Sequence, residues 1–127
     1  MMINTPISFG ELIDKISILQ IKKNNITDEK KLIFIKKEYT LLQSILSSLT
    51  EDKKANEYLS KLIEINSELW KIEDDIRDCE RNKSFDQQFI DLARSVYINN
   101  DKRSEVKSEI NNYFGSTLAE VKSYEKY

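Results

Sequence analysis

The sequence predicts an all-α fold, an elongated antiparallel helical bundle of about four helices with coiled-coil-like seams. The 127 residues include only two glycines and one proline, too few for the many tight turns of a β-rich fold. Apolar residues recur at alternating spacings of three and four, the period of helices that pack lengthwise against neighbours. Helix-capping motifs precede several of these periodic segments. We expect residues 1–127 to form a single domain, with an extended N-terminus at residues 1–7. In the short C-terminal segment, residues 116–127, Thr117 and Glu120 would cap a last helical turn.

The first helix is predicted from about Phe9 to Lys23. Ser8 and Glu11 form the S-x-x-E pattern of a capping box, in which each residue satisfies a free backbone N–H of the other. Most apolar residues of this helix share one face, but Ile18 and Ile21 lie on nearly the opposite one. We therefore expect the first helix to be covered on two sides.

The second helix is predicted to begin after a short polar turn. Thr27 would start it, with Asp28 and Glu29 placing negative charge at the positive end of the helix dipole. Its seam consists of six residues at alternating spacings of three and four: Leu32, Ile35, Tyr39, Leu42, Leu46 and Leu49. The segment from Ser47 to Lys54 is the predicted loop, and Thr50 is the candidate cap of the third helix.

The third and fourth helices are predicted as long antiparallel neighbours. The third should end near Asn82, after seven seam residues: Tyr58, Leu62, Ile65, Leu69, Ile72, Ile76 and Cys79. Ser84 and Gln87 form a second capping-box pattern, which predicts the start of the fourth helix. Gly115 is placed to terminate that helix, because glycine readily adopts the left-handed conformation of a helix end.

The seam of the fourth helix has a polar anomaly. Its apolar members are Phe85, Phe89, Leu92, Val96, Val106, Ile110 and Tyr113. Asn99 and Arg103 occupy consecutive seam positions among them. A buried charge must be paired or must reach solvent, so three interpretations are open. In the first, the helix breaks and Asn100 or Asp101 caps a new one. In the second, a structural polar layer fixes the register of the bundle. In the third, Arg103 holds an anion.

These interpretations define the candidate site. In the structural layer, Arg103 would pair with a carboxylate from another helix, either Glu73 or Asp14. In the anion or partner site, the candidates are the residues that a bundle could bring near Arg103: Asn99, Asn100, Arg94, Glu73, Asp14 and Lys15. Trp70, one position off the seam of the third helix, is interpreted as core packing or as the wall of an interface or pocket.

Metal and nucleophile chemistry find little support in the sequence. Cys79 is the only cysteine and there is no histidine, which excludes an internal disulfide and in practice a zinc site. We expect Cys79 to be a small core residue. Glu73, Asp74, Asp75 and Asp78 form the one acidic cluster, but neighbouring residues on a helix point in different directions, so a solvated face is the simpler interpretation. We therefore predict no metal, no cofactor and no catalytic residue.

Charge and hydropathy narrow the classes of partner. The formal net charge is −2, with acidic and basic residues interleaved rather than grouped, so nucleic acid is not an expected partner. No apolar run approaches the length of a membrane span, and the N-terminus lacks the regions of a signal peptide. We expect a cytoplasmic protein without membrane insertion.

The apolar seams are strong and the patterns of catalytic residues are weak, so the sequence favours binding over catalysis. The leading hypothesis is a non-catalytic helical interaction or oligomerisation module. It would form a homodimer, through helix one or the ends of the long hairpin, or bind another protein. The alternative is a small all-α enzyme or sensor that binds an anionic metabolite, such as a phosphate, carboxylate or sugar phosphate, at the polar layer.

Three segments give the chain a resemblance to a known family. These are "SFGELIDKISILQIK", "NSELWKIEDDIRDCE" and "FIDLARSVYINNDKRSEVKSEIN". From about Ser8 to Tyr124 the chain resembles a family of small uncharacterised bacterial proteins, a domain of unknown function. The resemblance implies a small all-helical domain and assigns no activity or site residue.

Overall fold

The computed structural model describes residues 1–127 and confirms the all-α bundle. It contains four helices and no strand, and 74% of the residues are helical. The helices are α1 (Phe9–Asn25), α2 (Glu29–Leu49), α3 (Lys54–Arg81) and α4 (Gln87–Phe114). At about 1.5 Å per residue, α3 and α4 are each roughly 42 Å long. None of the four helices combines the length and apolar character that crossing a membrane requires.

The start of α1 has one of the two hydrogen bonds of the predicted capping box, whereas α2 and α3 begin differently. Ser8 Oγ accepts a hydrogen bond from the Glu11 backbone N–H at 3.1 Å. The N-cap of α2 is Asp28, whose carboxylate accepts from two backbone N–H groups of the first turn, so Thr27 lies one residue too early. Thr50 ends α2 instead of capping α3, and its hydroxyl accepts from the Asp52 backbone N–H at 3.0 Å.

The predicted capping box at the start of α4 is wrong. The N-cap is Asp86, whose side chain accepts from the Gln88 backbone N–H. The Ser84 backbone N–H instead bonds back to the Cys79 carbonyl at 2.9 Å, and Lys83 adopts a left-handed φ of 54°. Ser84 therefore belongs to the end of α3, which leaves Asp86 free to start α4.

Helix α4 runs unbroken through Asn99 and Arg103, so the first of the three interpretations, a break with Asn100 or Asp101 as a new cap, is wrong. The Asn99 side-chain amide donates to the Ser95 carbonyl of its own helix at 2.8 Å. The helix ends at Gly115, in the left-handed conformation with φ 64°, as the sequence predicts. The expected helical turn around Thr117 is absent.

The C-terminal segment is not helical, and hydrogen bonds hold its beginning against the bundle. The Ser116 hydroxyl accepts from the Phe9 backbone N–H at 3.1 Å and donates to the Leu118 carbonyl at 2.7 Å. These bonds carry the chain across the start of α1 without forming a helix.

Helix α1 lies at the centre of the bundle. It packs against α2, α3 and α4, whereas α3 and α4 pair with each other and α2 packs against α1 alone. The core cluster combines residues from all four helices: Leu12, Ile13, Ile16, Leu46, Ala55, Tyr58, Leu62 and Ile110. Cys79 is buried, as predicted.

The two apolar faces of α1 are both covered by the chain itself. Ile13 and Ile16 are fully buried on one face, and Ile21 on the other is 4% exposed. Ile18 is partly buried. This confirms that α1 is covered on two sides, but it removes the reason for placing a dimer contact on helix one.

Candidate functional site

A fully buried carboxylate, that of Asp14, lies where α1 meets α3 and α4. Asp14 is 0% exposed. Its Oδ1 accepts from Arg103 Nε at 3.0 Å and from Asn66 Nδ2 at 2.9 Å. Its Oδ2 accepts from Arg103 Nη2 at 2.5 Å. The two-pronged contact with Arg103 is the geometry that a guanidinium and a carboxylate prefer.

A second cation, Lys107, lies one helical turn beyond Arg103. Its side chain is only 8% exposed. The ammonium Nζ lies 2.8 Å from Glu11 Oε2, 3.1 Å from Glu120 Oε2 and 3.9 Å from Asp14 Oδ2. Three carboxylates thus surround one nearly buried lysine.

The polar layer extends from Asp14 into α3 and along α1. Asn66 Nδ2 also donates to Ser17 Oγ at 2.8 Å, and the Ser17 hydroxyl donates to the Asp14 backbone carbonyl at 2.6 Å. Each of these buried polar groups therefore has a partner, the condition under which a buried network is tolerated. We name Asp14, Arg103, Lys107, Glu11, Asn66 and Ser17 the polar layer.

Gly10 allows the backbones of α1 and α4 to approach closely beside this layer. The Gly10 backbone N–H donates to Asn111 Oδ1 at 2.7 Å. A Cβ atom at Gly10 would lie 2.6 Å from the Lys107 carbonyl oxygen. Only glycine fits this contact without a shift of the helices.

Both cations of the polar layer are stabilised in their charged form. The hydrogen bonds to Asp14 raise the pKa of Arg103, against a smaller effect of partial burial. Burial is the largest single influence on Lys107 and lowers its pKa. The hydrogen bonds that Lys107 donates to Glu11 and Glu120 and the nearby negative charges together outweigh this effect, so that the pKa of Lys107 is raised. Two positive charges therefore persist at neutral pH.

Two clefts open on either side of Arg103. The first, of about 430 Å³, is bordered by Glu11, Asn100, Arg103, Ser104 and Lys107 and by residues 120–124. We name it the C-terminal cleft. The second, of about 540 Å³, is bordered by Trp70 and Glu73 of α3 together with Arg103 and Asn100. Arg103 and Asn100 border both clefts.

The structure brings together some of the predicted site residues and separates others. Of the two carboxylates proposed for Arg103, Asp14 is its partner, whereas Glu73 is exposed and pairs with Arg77 at 3.4 Å. Trp70 forms part of the wall of the second cleft.

The remaining candidates lie outside the polar layer. Asn99 bonds to its own helix, and Asn100 is exposed at the rim of both clefts. Lys15 is exposed, with its Nζ 4.0 Å from Glu11 Oε1. Arg94 is exposed as well, and a hydrogen bond to Tyr97 raises its pKa.

The sequence interpretation missed several members of the polar layer. The sequence could have indicated Lys107, because it follows Arg103 by four residues and so shares its face of α4. Ser17 and Asp14 stand three apart and so share one face of α1, which is a similar signal. Nothing local marks Asn66 or Glu120, whose contacts with this layer depend on the tertiary structure.

The acidic side chains are not grouped as a metal site would require. No group of three or more Cys, Asp or Glu side chains is arranged to hold a metal ion. Asp75 instead pairs with Lys71 at 2.7 Å, and Asp78 pairs with Arg81. The acidic cluster of α3 is thus a solvated face with ion pairs along the helix, the simpler of its two interpretations.

A large apolar groove lies between α2, the N-terminal residues 1–9 and residues 114–118. Its volume is about 1090 Å³. We name it the α2 groove, and 13 of its 23 lining residues are hydrophobic, including Met2, Ile3, Phe34, Leu41, Ile45 and Leu49. Phe34 is 77% exposed and Leu49 57% exposed.

Fold and site together define a small four-helix protein with a buried ion-pair layer and an open apolar groove. The chain belongs to a family of unknown function, DUF6165, whose sequence profile matches residues 3–127. Among curated proteins none matches the chain, and among solved structures none matches it either.

Proposed function

We propose that the protein is a non-catalytic helical interaction module that forms a homodimer through the outer face of α2. The observation that carries this proposal is the α2 groove. Helix α2 packs against α1 alone, yet it carries a row of exposed apolar residues along the groove. Exposed apolar side chains grouped into one patch mark interaction sites, whereas singly scattered ones need no explanation.

The exposed residues of α2 have the spacing of a helix that packs on two sides. Phe34, Leu41 and Ile45 line the groove at intervals of seven and four, so they form a stripe along the helix. Neighbouring Ile33 is 67% exposed. Burying these side chains against a partner would stabilise the complex by roughly 1.5–3 kcal/mol for each one fully covered.

The charges of α2 favour a second copy of the same chain as the partner. Besides Lys15, the charged residues of the groove are Lys37 and Glu38, adjacent near the middle of α2. In a two-fold antiparallel contact centred between them, Lys37 of each copy faces Glu38 of the other. Phe34 then faces Leu41. A surface that complements itself in this way is what a two-fold dimer needs.

The first experiment measures the mass in solution. Light scattering coupled to size-exclusion chromatography at tens of micromolar should give twice the chain mass of 15.0 kDa. Replacing Phe34 by Glu puts a charge in the contact and should weaken the dimer by about 100-fold or more. Phe85→Glu is the matched control, because Phe85 is 52% exposed but lies outside the groove. A monomeric wild type would contradict the proposal.

A charge exchange tests the two-fold geometry separately. Lys37→Glu and Glu38→Lys should each weaken the dimer, because each places like charges opposite one another. The double variant should recover most of the affinity, since the pair is then reversed rather than lost. Dimers of equal strength in all four proteins would place the contact elsewhere.

A further inference from the structure

We infer that the C-terminal cleft is a binding site for the oxyanion group, carboxylate or phosphate, of a small polar molecule. We further infer that Glu120 occupies this site in the molecule's absence. The inference is independent of dimer formation, because the cleft and the α2 groove share no residue. It rests on the two cations, on the charge count and on the place of Glu120.

Arg103 is held in position and retains hydrogen-bonding capacity. Its Nε and Nη2 donate to Asp14, whereas Nη1 makes no hydrogen bond within the protein. Its side chain is 29% exposed, while that of Asp14 is 1% exposed. A buried carboxylate thus orients a guanidinium whose outer edge remains available, and a planar donor of this kind suits carboxylate and phosphate groups.

One further anionic group, the Glu120 carboxylate, already contacts these paired charges. Glu11 and Asp14 balance Arg103 and Lys107. Glu120 adds one negative charge, at 3.1 Å from the nearly buried ammonium of Lys107. Replacing that carboxylate by one from a ligand leaves the local charge unchanged, so the exchange exposes no unpaired cation.

Of the two glutamates on Lys107, Glu120 is the one that can leave. Glu11 belongs to the first turn of α1, and its side chain is 32% exposed. Glu120 lies in the C-terminal segment, which has no regular secondary structure, and its side chain is 56% exposed. The segment is anchored past this point by the ion pair between Lys122 and Asp101.

The rest of the cleft provides room and hydrogen-bonding groups for the body of a ligand. Its volume of about 430 Å³ lies within the roughly 300–1,000 Å³ that small-molecule sites occupy. Asn100, Ser104, Ser123 and Tyr124 border it, and only two of its ten lining residues are hydrophobic. These groups favour a polar ligand over an apolar one.

The test is a calorimetric titration with inorganic phosphate and, in a separate arm, citrate. Glu120→Gln removes the charge that competes with the ligand, and we expect it to bind about 10-fold more tightly than wild type, a change of ~1.4 kcal/mol. Glu109→Gln is the matched control, an exposed glutamate of α4 without an ion pair. Binding in the phosphate arm only, the citrate arm only or both supports the site and identifies which oxyanion it prefers.

Three results would overturn the inference. The first is that neither anion binds Glu120→Gln at concentrations up to about 20 mM. The second is that Glu109→Gln raises the affinity for the anion as much as Glu120→Gln does. The third is that adding Arg103→Met to Glu120→Gln leaves the affinity unchanged. If that double variant fails to fold by circular dichroism, side-chain nitrogen NMR of Glu120→Gln replaces it. Arg103 resonances that do not shift on titration then count against the site.

Discussion

The Asp14 side chain is almost completely buried, so its hydrogen bonds come from neighbouring groups of the protein. Arg103 supplies two of its three side-chain hydrogen bonds and Asn66 the third. Lys107, 3.9 Å away, adds attraction without a hydrogen bond. A buried ion pair contributes little net stability when intact, but removing one partner leaves an uncompensated charge.

We therefore expect Arg103→Met to destabilise the protein by about 3 kcal/mol, because methionine keeps much of the stem and leaves Asp14 without its main partner. Arg77→Met is the control, since Arg77 forms an exposed pair with Glu73 and should cost less than ~1 kcal/mol. Urea unfolding followed by circular dichroism measures both. Equal losses in the two variants would mean that the polar layer is not what stabilises this junction.

At Gly10 we expect the reverse of the usual effect of replacing a helical glycine by alanine. Replacing glycine by alanine in a helix normally stabilises by up to ~1 kcal/mol. At Gly10 the new methyl would meet the Lys107 carbonyl oxygen at 2.6 Å, and a backbone atom cannot rotate aside. We expect Gly10→Ala to destabilise by about 1–3 kcal/mol, the cost of overpacking, as measured by thermal unfolding. A stabilised variant would show that α1 and α4 lie further apart.

At the scale of single helices, capping was predicted well only where one candidate was available. Before α1, Ser8 stands alone and caps as expected. Before α4, Ser84 and Asp86 both have suitable side chains, and the end of α3 uses the Ser84 backbone N–H. The choice between them therefore depended on how the preceding helix ends.

This difference can be measured by two substitutions in one turn. Asp86→Ala removes the side chain that accepts from the Gln88 backbone N–H and should cost about 1 kcal/mol. Ser84→Ala removes a hydroxyl that caps nothing, and we expect a change within ~0.5 kcal/mol. Chemical denaturation of both variants makes the comparison. A larger loss from Ser84→Ala would restore the capping box that the sequence suggested.

At the scale of the whole molecule, the helices differ in how many neighbours hold them. Helix α1 is packed by three others, whereas α2 is packed by α1 alone. Only one residue of α2, Leu46, is buried, compared with eight residues of α1. Local opening costs least where few contacts are lost.

We expect hydrogen exchange followed by mass spectrometry to rank the helices accordingly. Amides in the middle of α1 should exchange most slowly, those of α3 and α4 next, and those of α2 fastest. At concentrations where a dimer forms through α2, protection of α2 should rise with protein concentration, while that of the other helices stays constant. Exchange in α2 as slow as in α1 under dilute conditions would contradict this order.

The sequence by itself determined the four helices and much of their bounds, because apolar spacing, caps and the terminating glycine act within a few turns of chain. It also determined that Arg103 had to find a partner, and it included Asp14 among the candidates. The tertiary structure decided which helix is central, since helix order around a bundle depends on how all seams fit at once. It also joined Asp14 to Arg103 across 89 positions of sequence, and Lys107 to Glu11 across 96. No local pattern encodes such contacts, because a side chain's partners depend on the packing of helices that are distant in sequence.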